Sequence, residues 1–192
     1  MSLETELLRQ AAEMAGERGD WNTASRFFRE LAEDQPEDPS AHLQLAHALA
    51  EAGRPEAAAY PLLSALALAP ADPAVLHAFA RQGLRSGRPA EALAFFRAAL
   101  SQAPEDEAAA QQVRRLEATL PAMTPELSAH LVLARVAVAR GEDAAAPHAS
   151  LQEAGLGLAE LQAAPSQPPT PPEPAPEPVA EPAQALAEVL EA

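Results

Sequence analysis

The sequence predicts an all-α fold of stacked helical hairpins, on three observations. Residues recur every 34 positions, the apolar content is alanine and leucine with few aromatics, and Gly and Pro stand where helices would end and begin. The recurrence runs through Pro36, Pro70 and Pro104, through Gly19, Gly53 and Gly87, and through Ala24, Ala58 and Ala92. Phe28, Leu62 and Phe96 keep the same interval, and so do Asp38, Asp72 and Asp106. Agreement of so many registers over three copies marks a repeat architecture, in which each unit buries its apolar face against the next. With 48% hydrophobic but only 4% aromatic residues, the interior must come from closely approaching helices and not from a thick sheet sandwich. A chain of 192 residues suits one helical domain and a tail.

The first repeat, 5–38, places Leu8, Ala11, Ala12 and Ala15 on one helical face, turns at Gly19-Asp20-Trp21, and continues with Ala24, Phe28 and Leu31. The second, 39–72, has Leu45, Ala46 and Leu49, the turn Gly53-Arg54-Pro55-Glu56, then Ala58, Leu62, Ala65 and Leu66. The third, 73–106, has Leu76, Phe79 and Ala80, the turn Gly87-Arg88-Pro89, then Ala92, Phe96, Ala99 and Leu100. Glycine ends the first helix of each pair because it accepts the left-handed conformation, and proline just beyond presets φ for the next. Asp38 and Asp72, each followed by proline, are placed to accept backbone N–H groups at a helix start. Pro61 falls inside the second helix of the middle unit, where a lost hydrogen bond and a ring clash cost about 3 kcal/mol, so a kink or a late helix start is expected.

Beyond the repeats, 107–121 reads as a capping helix with Val113, Leu116 and Leu120 on one side. Residues 122–164 read as a degenerate helical hairpin: Thr124-Pro125-Glu126 starts an apolar helix that ends at Gly141, and a weaker second helix contains Pro147. Residues 165–182 are dominated by proline with interspersed glutamate, which predicts an extended, disordered linker of polyproline-II character. Residues 183–192 carry Leu186, Val189 and Leu190 at helical spacing, a short amphipathic helix that forms mainly on contact.

The repeat residues resemble those of the tetratricopeptide-repeat (TPR) family, whose period and A-x₃-F…P pattern are met by Ala24, Phe28 and Pro36 and by Ala92, Phe96 and Pro104. Ala58, Leu62 and Pro70 match in part, and the resemblance covers roughly residues 5–106. The family's first-helix Trp, Gly and Tyr positions are filled here by Leu8, Ala12 and Ala15, by His42, Ala46 and Leu49, and by Leu76, Ala80 and Gly83. The resemblance implies a right-handed superhelix of helix-turn-helix hairpins whose first helices line a concave groove. Its groove positions carry over to Arg9, Glu13, Leu43, His47, His77, Arg81 and Arg85, the last three with His47 forming a small basic patch. The chaperone-binding carboxylate clamp of the family is not implied, since its positions read Arg9, Glu13, Gln44, Ala74 and Ala78.

The charge of −15 opposes binding to nucleic acid, and the absence of cysteine removes disulfides, thiolate metal sites and thiol nucleophiles. No stretch approaches the roughly 20 apolar residues of a membrane span, and the acidic N-terminal residues do not read as a signal peptide, so a cytoplasmic location is expected. No phosphate-binding loop, metal-ligand cluster or nucleophile motif occurs, so neither enzymatic activity nor a cofactor is expected. His42 and His47 are five residues apart, a rotation of about 500° on a helix, and therefore point apart; a metal site with His77 is not expected. The function expected is a protein–protein interaction scaffold that binds an extended peptide or helix, possessing an acidic character, in the groove. The alternative is a regulatory or substrate-presenting subunit of an enzyme system or a secretion-type chaperone. The chain's own tail is a second candidate occupant, because the proline linker reaches roughly 55 Å at 3.1 Å per residue.

Overall fold

Aspartate opens and glycine closes the helices at the positions the repeat requires. Asp38 accepts from the Ser40 N–H at 2.9 Å, Asp72 from Ala74 N–H at 2.7 Å, and Asp106 from Ala109 N–H at 2.9 Å. Gly53 and Gly87 sit at φ 75° and 67°, a region closed to most side chains, and the following N–H reaches back five residues, Arg54 to the Leu49 carbonyl and Arg88 to that of Gly83. Gly141 repeats the device at φ 68°, with Glu142 N–H bonded to the Ala137 carbonyl.

The structure, a computed structural model, describes residues 3–120, 122–144, 149, 151 and 152. Among them the chain is all-helical, with no strand: α1 (Leu3–Glu17), α2 (Trp21–Asp34), α3 (Pro39–Glu51), α4 (Pro55–Leu68), α5 (Pro73–Arg85), α6 (Pro89–Gln102), α7 (Glu107–Thr119) and α8 (Pro125–Arg140). The pairs α1/α2, α3/α4 and α5/α6 pack as hairpins, and each hairpin packs on the next, as an all-α repeat fold requires. The expected linker 165–182 and terminal helix 183–192 lie outside the described residues, as does most of the second half of the expected hairpin 122–164.

Alanine at the crossing points is what brings the helices together. Ala24, Ala58 and Ala92 are fully buried, and Phe28, Leu62 and Phe96 fill the spaces between hairpins. At Gly83 a Cβ would meet the Ala92 backbone nitrogen at 3.1 Å, so glycine there eases the close approach of α5 and α6. The Gln82 side chain, buried beside it, donates to the Pro55 carbonyl at 2.8 Å and ties α5 to the start of α4.

Pro61 does not delay its helix: α4 runs unbroken from Pro55 to Leu68 with the proline inside. The ring is buried within the stack.

Beyond the repeats, α7 lies against α6 with Ala109, Val113 and Leu116 inward. α8 does not pair chiefly with α7, the helix before it. It folds back and packs on α6 and α4, the second helices of two repeats. Its buried stripe is Ser128, Leu131, Ala134, Arg135 and Ala137, while Leu133 remains exposed. A buried charge pair lies within this contact. Glu91 in the first turn of α6 is 1% exposed, and the guanidinium of Arg135, 2% exposed, meets it at 2.5 Å. Arg88 pairs with the other carboxylate oxygen at 2.6 Å. Arg97 fastens the connection: it donates to Glu117 of α7 at 2.8 Å, to the Met123 carbonyl at 2.8 Å and to Ser128 Oγ of α8 at 2.6 Å. Arg140 donates to the Ala67 carbonyl at the end of α4. No helix among the described residues is long and apolar enough to cross a membrane.

Candidate functional site

The side of the stack opposite in kind to the one α8 covers is lined by the first helices. Because α1, α3 and α5 each present the same register positions, their side chains enclose one groove of about 630 Å³, a volume in the range of ligand and peptide sites. Its floor is apolar: Ala12 of α1, Leu43, Ala46 and Ala50 of α3, and Ala78 of α5, backed by Trp21 and Phe28 of α2 and Leu62 of α4. Its rims are charged.

Six of the seven expected groove residues come together here: Glu13, Leu43, His47, His77, Arg81 and Arg85. Arg9 does not line the groove; its guanidinium lies 3.8 Å from the Asp38 carboxylate at the start of α3. His42 is also elsewhere, its Nε2 2.9 Å from the Pro36 carbonyl, so it and His47 diverge as their five-residue spacing requires. Among the described residues no group of three His, Asp or Glu stands close enough to hold a metal ion.

Each polar groove residue has a distinct environment. His47 packs edge-on against Trp21, ring centroids 5.4 Å apart, and His77 packs edge-on against Phe96 at 5.2 Å. Burial pushes the His47 imidazole below its ordinary value, and Arg81 and Arg85 push it the same way, so at neutral pH it is uncharged although Glu51 pulls in the opposite direction. Arg85 reaches back one repeat to Glu51, Nη2 to Oε1 at 2.6 Å, and this hydrogen bond holds the Glu51 carboxyl below the usual carboxylate range. Glu51 and Arg85 are 34 residues apart, so they occupy the same position in successive repeats and stack side by side.

The expected basic patch is therefore smaller than the residue types imply. Arg85 is neutralised by Glu51, His47 is uncharged, and among the described residues Arg81 is the groove cation that makes no ion pair. At the other rim stand Glu13 and Glu17 of α1, so the groove is charged oppositely at its two ends with an apolar floor between.

Sequence reasoning missed Trp21, Glu17 and Glu51. Trp21, the only tryptophan in the chain, carried the available signal: a large ring placed immediately after the first turn had to fill space somewhere. Its ring approaches Gly16 so closely that a Cβ there would stand 3.0 Å from it. Neither a protein-family model nor a curated protein matches this sequence significantly.

Proposed function

We propose that this chain is a non-catalytic scaffold of the tetratricopeptide-repeat kind, working in the cytoplasm and holding an extended segment or a helix of a protein partner in the groove of its first helices. The observation that carries the proposal is the groove itself. It is a concavity of about 630 Å³ with an apolar floor and separated charges at its rims, on a fold whose other face is covered over α4 and α6 by α8. Apolar floors supply affinity when water is displaced from them, and charged rims fix register and orientation. The absence of cysteine and the resemblance of the repeat residues support the same reading.

A photo-crosslinker at position 81 or 77, used in cells, is expected to capture a specific protein. Arg81→Glu combined with Leu43→Asp is expected to lower that capture at least tenfold, while Arg81→Glu alone leaves the thermal midpoint nearly unchanged because the side chain is exposed. Full capture by the double variant would show that the groove is not the binding site.

A further inference from the structure

The charge pattern of the groove restricts what fills it. A wholly acidic segment crossing the entire groove meets Glu13 and Glu17, and a basic one meets Arg81 at the α5 end. The complement is a short segment with one apolar stripe, acidic where it lies over α5. The chain contains such a segment. Residues 183–192 place Leu186, Val189 and Leu190 at helical spacing and Glu188 and Glu191 about 150° around the same helix, with no basic residue. As a helix, ten residues extend about 15 Å. Packed helices lie about 8–10 Å apart, so that length spans α3 and α5 and stops short of the acidic rim on α1.

Tethering adds to this complementarity. The 30 residues between Gln152 and Ala183 reach as far as about 90 Å at 3.1 Å per residue, enough to pass around a domain of this size. A tether of that reach holds its segment at an effective concentration on the order of millimolar, so even a weak intrinsic affinity keeps the groove filled.

We propose, on the strength of the groove reading above, that residues 183–192 are an internal competitor for the α3–α5 half of the groove. Leu186, Val189 and Leu190 lie on its apolar floor, and the acidic character of the segment, carried on its outer side, suits the field of Arg81. A partner binds by displacing them.

Trp21 reports on this directly, being the sole tryptophan and a groove residue in contact with His47. In the full chain, Leu186→Asp with Leu190→Asp is expected to move the Trp21 emission to longer wavelength. The same variant should bind a synthetic peptide of sequence 183–192, added in trans, about tenfold more tightly than the parent chain does, because the tethered copy no longer competes. Arg81→Glu should remove that gain. Unchanged emission together with equal peptide affinity for parent and variant overturns the internal competitor while leaving a groove that accepts a segment. A peptide that binds neither chain overturns it too, and the crosslinking experiment then tests the groove independently.

Discussion

The two faces of the hairpin stack are built from one repeat and end in opposite states. On the face of the second helices, α8 lies over α4 and α6, and a glutamate and an arginine meet there out of contact with water. On the face of the first helices the same register leaves an open groove, where the comparable pair, Glu51 with Arg85, is about one-third exposed on each side. The contrast separates stability from recognition. A charge buried with its partner becomes expensive when the partner is removed, whereas an exposed pair contributes about 0–1 kcal/mol and is free to be exchanged for a ligand's charge. Substitutions on the covered face should therefore be felt by folding, and substitutions on the open face by binding.

The largest test of that separation is Arg135→Leu, which takes from the buried Glu91 one of its two arginine partners and leaves it with Arg88. A loss of about 3 kcal/mol, the low end for breaking a buried pair because Arg88 remains, is expected from urea unfolding. Replacing both members, Glu91→Leu with Arg135→Leu, should restore most of it; a double variant as weak as the single one would mean that side-chain shape, and not the lost charge pairing, dominates. A smaller effect is expected from Arg97→Ala, which removes bonds to Glu117, Met123 and Ser128 at once. About 2 kcal/mol should be lost, and amide exchange should rise over 122–130 before it rises in α3.

The smallest effect belongs to the open face. His47 has a folded-state pKa below its unfolded value, so on acidification the unfolded chain takes up the proton first. Stability should therefore decline as pH falls from neutrality through the ordinary imidazole range, and His47→Gln should flatten that part of the profile measured by urea midpoints. Because the imidazole is only partly buried, this slope should be shallower than the losses on the covered face.

The covered and open faces also differ in how legible they were. The lining of the groove follows from periodicity: Leu43 and His47, His77 and Arg81 share one helical face, and a 34-residue interval sets such faces side by side. The rim charges do not follow, because Arg81 and Arg85 look alike in sequence and only the packing of α3 beside α5 brings Glu51 to one of them. The position of α8 was illegible for a related reason. Its apolar run predicted a helix and a hairpin partner, yet helical periodicity names the buried face without naming the neighbour, and the partner of Arg135 is 44 residues away.

Sequence alone determined the all-helical repeat, the turn glycines and the aspartate caps. Those features rest on backbone conformation and on bonds between residues a few positions apart, which the local chain dictates. The tertiary structure decided which face is sealed and which cation stays exposed in the groove, since desolvation and pairing of charge depend on groups brought together from distant parts of the chain.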